Sequence, residues 1–182
     1  MSRNKLVTLR RLAFTFIVGA SVLGAMPVSA DSEHEKAERD RAARMRPAGS
    51  WAGTVTAVNP PIGQFANLLT LIPGGGVIES RRLYVRETPF GALLETPGHG
   101  AWRRVGPNTI QINFIFLMQG APDNPALAGN PFGTDNISIR AELDHSGKLL
   151  TGTFRSDVKD LGGNIIFTTT GTYSASRIEA AH

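Results

Sequence analysis

From Gly49 onward this chain never runs far without a cluster of Gly, Pro, Asn or Asp, and the runs between those clusters are short and rich in Val, Ile, Thr and Phe. That texture belongs to strands joined by tight turns and offers no segment for a long helix. Eight strands are expected. The first covers 51–58, broken by Asn59-Pro60-Pro61, and the second covers 65–72, ended by Gly74-Gly75-Gly76. The third covers 77–86, and a looser segment with Pro89, Gly91 and Pro97 leads to the fourth at 99–104. The fifth covers 109–118. An irregular stretch from Gly120 to Gly133 follows, and the sixth strand covers 137–143. Its Ile137, Ile139, Ala141 and Leu143 alternate with Ser138, Arg140 and Glu142, which marks one dry face and one wet face. The seventh and eighth cover 148–158 and 165–176.

An open meander of eight strands would leave two bare edges, and Ile165-Ile166-Phe167 is a poor segment to leave unpaired. Closure removes the edges and pairs the last strand with the first. The fold class expected is therefore all-β: an eight-stranded antiparallel up-and-down barrel, preceded by a short N-terminal helix. A two-sheet sandwich is the alternative.

The residues before Gly49 are of two other kinds. A head with Arg3, Lys5, Arg10 and Arg11, an apolar run from Leu12 to Met26 and the small-residue end Val28-Ser29-Ala30 form a secretory signal over 1–30. The apolar run is shorter than the roughly 20 residues a membrane span needs. Export to the periplasm or beyond is expected, by the general route or, given Arg10-Arg11, the twin-arginine route, with no membrane span left after cleavage. A retained anchor is the alternative. Residues 31–48 are a charged lead-in, acidic early and basic late, with few apolar side chains to pack. The barrel would then fill 49–178, leaving a tail at 179–182.

The whole chain carries 19 Lys and Arg against 15 Asp and Glu. All four basic residues of the signal leave with it, so the exported domain is neutral and has no field to draw in a nucleic acid. Cysteine is absent, which excludes disulfides, thiol nucleophiles and thiolate metal ligands. The four histidines, His34, His99, His145 and His182, have no ligand spacing, so no metal site is expected, and no motif implies a cofactor.

Gly49-Ser50-Trp51 at the start of the first strand resembles the opening signature of lipocalins and their calycin relatives. In that superfamily the Trp plugs the closed end of the barrel and a basic residue after the last strand packs over it. The resemblance implies those structural roles for Trp51 and Arg177. Gly98-His99-Gly100-Ala101-Trp102, the aromatic fifth strand Ile112-Asn113-Phe114-Ile115-Phe116 and Leu150-Thr151-Gly152-Thr153-Phe154 are similar to a group of small secreted bacterial lipocalin-like proteins of uncharacterised function. The likeness spans about residues 49–178 and lacks the lipocalin Cys pairs.

A barrel of this size either fills its interior or holds one small ligand. The pocket reading assigns Phe65, Leu69, Tyr84, Ile112, Phe114, Phe116, Ile137 and Ile139 to a small hydrophobic molecule, with Asn113, Tyr84 or Arg140 orienting it and the Gly120–Gly133 stretch as gate. A second reading is an enzyme on the same scaffold, an isomerase, cyclase or hydrolase of an apolar substrate, as barrels resembling allene oxide cyclase suggest. His99, bracketed by glycines, and Glu79 are then the candidate titrating groups. A third reading is a solid barrel that engages a protein partner through its outer faces or lead-in.

Overall fold

The computed structural model describes residues 35–36, 46–86 and 88–179. The expected signal, most of the lead-in with its expected helix, and the tail beyond Glu179 lie outside the described residues. Ten strands are present: β1 (Gly49–Asn59), β2 (Gly63–Leu71), β3 (Gly76–Arg81), β4 (Tyr84–Val85), β5 (Leu93–Glu95), β6 (Gly98–Arg104), β7 (Thr109–Gly120), β8 (Pro131–Leu143), β9 (Leu149–Asp160) and β10 (Ile165–Arg177).

Every pairing between these strands is antiparallel, and the wall closes where β1 meets β10, from Trp51 opposite Arg177 to Asn59 opposite Thr170. Around the ring the order runs β1, β2, β3, β6, β7, β8, β9, β10. This is a closed eight-stranded antiparallel barrel, compatible with a lipocalin-like fold. The sandwich alternative falls because no free edge separates two layers.

Two walls differ from the expected pattern. The third strand is interrupted at Arg82-Leu83, which divides it into β3 and β4, and the segment expected to be loose before the fourth strand, now β6, holds an additional short strand, β5. The upper pieces pair with each other through Tyr84–Leu94 and Val85–Leu93, while β5 continues onto the end of β7 at Leu93–Gly120. The barrel is therefore bent outward on one side near its upper rim. The sixth strand begins at Pro131 rather than 137, because Thr134, Asp135 and Asn136 pair in register with both β7 and β9.

The lower end, where the 72–76, 105–108 and 144–148 turns lie, is dry. Trp51, Leu69, Leu71, Ile110, Ile112, Ile139, Ala141 and Leu150 are at most 1 % exposed there and in the layer above. Each large aliphatic side chain so buried contributes about 1.5–3 kcal/mol. Trp51 seals this end: its Nε1–H donates to the Pro47 carbonyl at 3.0 Å, and the Arg177 guanidinium lies 4.4 Å over its ring. The Gly of Gly49-Ser50-Trp51 has a steric origin. Gly49 has φ of +139°, and a Cβ on it would stand 2.6 Å from Arg177 Nη1.

Candidate functional site

Alternation sets which side chains enter the barrel. On β3 the inward residues are Val77, Glu79 and Arg81; on β2 they are Leu71, Leu69, Asn67 and Phe65. The lower members of both series are apolar and polar groups enter above them, at Asn67 on β2 and at Glu79 and Arg81 on β3, so the interior changes character halfway up. The change comes first as a buried trio. Asn67, Glu79 and Tyr173 are 5 %, 1 % and 1 % exposed. Asn67 Nδ2 donates to Glu79 Oε1 at 3.0 Å, while Asn67 Oδ1, Glu79 Oε2 and the Tyr173 hydroxyl lack hydrogen-bond partners. Gly53 makes room for them, since a Cβ there would meet Asn67 Oδ1 at 2.2 Å and the Tyr173 oxygen at 2.9 Å. Burial pushes the Glu79 carboxyl up to about 7, against the opposing pull of Arg81 and of the Asn67 hydrogen bond.

Above the trio sits an ion cluster. Arg81 donates from Nε and one Nη to the two oxygens of Glu95, at 2.8 and 2.9 Å, and from the same Nη to Asp135 at 2.9 Å. The Ser156 hydroxyl donates to the other Asp135 oxygen at 2.6 Å. The guanidinium rests 4.0 Å over the Phe116 ring, with Phe65 at 5.2 Å. All three charged side chains are nearly dry, at 11 %, 6 % and 7 % exposure for Arg81, Glu95 and Asp135. Burial raises the Glu95 carboxyl above its ordinary value although Arg81 pulls it down.

Over this polar floor opens a cavity of about 280 Å³. Its walls are Phe65 on β2, Tyr84 and Val85 on β4, Leu93 on β5, Met118 on β7, Ile137 on β8, Phe154 and Val158 on β9, and Phe167 on β10. Thr88, Pro89 and Phe90 close over part of the mouth. Phe90 packs 4.9 Å from the Phe132 ring and 6.3 Å from Phe167, edge to face, so this segment bridges from the bent side of the rim to β10.

The stretch between β7 and β8 contributes no lining residue and stands behind the bridge. Asn124 on that stretch, 2 % exposed, donates to the carbonyls of Phe90 and Ala92 at 3.0 and 2.9 Å. The element at the mouth is thus 88–90, and the Gly120–Gly133 stretch, expected as the gate, supports it from behind through Asn124.

Of the residues singled out in the sequence, Phe65, Tyr84 and Ile137 line the cavity. Leu69, Ile112, Phe114, Phe116 and Ile139 lie in the packed interior below it. Asn113 and Arg140 face outward and are exposed. His99 is exposed on the outer face, opposite Ile78 on β3 and Ile115 on β7. Its glycine neighbours have a packing cause: a Cβ on Gly98 would stand 2.9 Å from the Phe114 ring and 3.0 Å from that of Phe116. Glu79 points inward but is not part of the cavity wall.

Arg81, Glu95, Asp135 and Ser156 escaped the sequence reading. The signal for Arg81 and Asp135 was parity: Arg81 stands four residues from buried Val77, and Asp135 two from Ile137.

Among the described residues no group of three or more His, Asp or Glu is placed to hold a metal, and no helix is long and apolar enough to cross a membrane. Compared with models of known protein families, with curated proteins and with solved structures, the chain matches none.

Proposed function

We propose that this protein is an exported, periplasmic or secreted, binding protein that holds one small, largely apolar molecule in the upper half of its barrel. The observation that carries this reading is the cavity: about 280 Å³ of space, walled by aliphatic and aromatic side chains from seven strands, above a fixed set of polar groups. That combination is the usual make-up of a small-molecule site, and its volume lies at the lower edge of the range. Apolar contacts would supply affinity, and the polar floor would fix orientation. The signal over 1–30 supports export.

An environment-sensitive apolar dye should bind the purified protein saturably at a 1:1 ratio. Val158→Trp, which fills the cavity from β9, should weaken that binding at least about tenfold, as expected when an apolar guest loses its space. Saturable binding that ignores Val158→Trp would place the guest elsewhere, and absence of binding would remove the proposal.

The enzyme reading has one observation in its favour, the inward Glu79 carboxyl with its value near 7. A carboxyl poised at that value suits proton transfer. It lies behind Arg81 instead of in the cavity wall, so a substrate seated against the walls would meet the ion cluster first. Binding is the reading we retain.

A further inference from the structure

We propose that the guest of this cavity carries a cationic, hydrogen-bond-donating head, an alkyl or aryl ammonium, seated on Glu95 and Asp135 with its apolar body against Phe65, Phe154 and Phe167. This rests on the cavity being a ligand site and specifies what that site prefers.

Three features of the floor point the same way. The first is charge. One guanidinium faces two carboxylates, so the floor holds a net negative charge in a nearly dry setting. A third carboxyl, Glu79, stands two residues before Arg81 on the same inward face, 1 % exposed and with Oε2 unpartnered. A charge of the same sign brought in by a carboxylate guest would meet that excess with little water to screen it.

The second feature is hydrogen-bond supply. The four oxygens of Glu95 and Asp135 offer about eight acceptor directions. Four are taken in the bonds described: three by Arg81 and one by Ser156. Arg81 spends its Nε edge on Glu95, shares an Nη with Asp135 and lays its face on Phe116. The floor therefore has acceptors to spare and its principal donor already engaged. An ammonium brings three donors and one positive charge, which is the complement of that state.

The third feature is the walls. Aromatic faces attract a cation once it leaves water, and phenyl rings from β2, β9 and β10 surround the floor. Phe65 already shows this preference in its approach to Arg81.

Two arginines at the rim, Arg82 and Arg86, carry the opposite sign. Both are exposed, and Arg86 is engaged by the Tyr84 oxygen at 3.0 Å and by Asp123 at 3.7 Å. Charges held in water at the mouth are screened far more than those at the floor.

The test uses three guests of one shape: octylammonium, 1-octanol and octanoate, each titrated calorimetrically into the purified protein at pH 8 and again by displacement of the bound dye. Octylammonium should bind at least about tenfold more tightly than octanoate and several-fold more tightly than octanol, given the strength of charge-assisted hydrogen bonds and the penalty for like charges. Asp135→Asn should erase most of the ammonium-over-octanol preference, because it removes the charge and keeps the shape. Should that variant fail to fold, the ranking of the three guests on the unaltered protein still decides. Octanol binding as tightly as octylammonium, or octanoate binding more tightly, would overturn the cationic head and leave the binding cavity standing. Failure of all three to bind or to displace the dye would overturn the cavity itself.

Discussion

The two ends of this barrel are built from the same strands and solve opposite problems. At the lower end Trp51 is wholly buried, its single polar atom bonded to Pro47, and the neighbouring layer is aliphatic. At the upper end the continuations of those strands, joined by β5, bury an arginine, two carboxylates and a serine hydroxyl beside open space. The lower end holds the wall together by excluding water. The upper end holds dry charges that stabilise little by themselves, since desolvation consumes most of what pairing returns. Polar groups kept in an interior that could have been apolar are a cost to the fold, and the ligand site proposed above would account for it.

The largest effects should come from removing the anchor of each end, and they should differ in kind. Trp51→Ala leaves a void against a packed layer and should cost about 3–5 kcal/mol. Arg81→Ala should cost a similar 3–5 kcal/mol at pH 8 by stranding two buried carboxylates. Only the second loss should depend on pH. Without Arg81 the Glu95 carboxyl, already raised by burial, loses the pull that lowers it and rises further in the folded state, so the penalty shrinks as acid protonates it. Urea unfolding at pH 5 and pH 8 separates the two. An Arg81→Ala loss of equal size at both would break the contrast drawn between the ends.

The lower end was largely legible in the sequence and the upper end was not, for a physical reason. A packed apolar layer leaves a local trace, because every inward residue is hydrophobic and the period of two shows through, as in Ile110, Ile112 and Phe114. The ion cluster leaves only the parity of Arg81 with Val77 and of Asp135 with Ile137. Its members stand at 81, 95, 135 and 156 on four strands, and only the pairing registers bring them together. Each reads locally as a solvent-facing polar residue. Strand β5 was hidden too: Leu93-Leu94-Glu95 is three residues between Gly91 and Pro97, and its partner is the far end of β7. Pro131 and Gly133 likewise disguised the start of β8 as a loop, although Gly133 pairs with Met118 and Asp160.

A smaller effect should come from the boundary between the two ends. Glu79 faces Asn67 on β2, Tyr173 on β10 and Arg81 on its own strand, with Glu95 on β5 and Asp135 on β8 adding their charges from above. Its carboxyl rises from 4.5 in the unfolded chain to about 7 in the folded one. The folded state thus holds this proton more tightly than the unfolded state. The group costs nothing below pH 4.5, erodes stability as pH climbs from there to 7, and imposes its full penalty above. A shift of that size corresponds to about 3 kcal/mol. Glu79→Gln keeps the shape, still accepts from Asn67 and has a donor where Oε2 lacks a partner. It should stabilise the protein by up to about 3 kcal/mol at pH 8 and by close to nothing at pH 4.5. Equal stability changes at both values would show that Glu79 is already charged in the fold, and the polar half of the barrel would then extend lower than the contrast allows.

The smallest effect concerns the seal, and it tests whether the ends are independent. Arg177 donates from Nε to Gly147 at 2.8 Å, from one Nη to Ala48 at 2.9 Å and from the other to Arg46, all backbone carbonyls, while its plane covers Trp51. One flat guanidinium thereby ties the start of β1, the end of β10 and the turn before β9 into a single lid. A lysine keeps the charge but presents one nitrogen, which cannot reach three carbonyls in three directions, and loses the planar stacking. Arg177→Lys should cost about 1–2 kcal/mol, the scale of a partly exposed cation–π contact with a few charge-assisted bonds. It should also change the fluorescence of Trp51 by admitting water to the ring. Dye affinity at the other end should stay the same, because perturbations this far apart in a closed wall add without coupling. If Arg177→Lys weakened dye binding as much as Val158→Trp does, the seal and the cavity would be one cooperative structure, and the division between a dry structural end and a polar binding end would have to be given up.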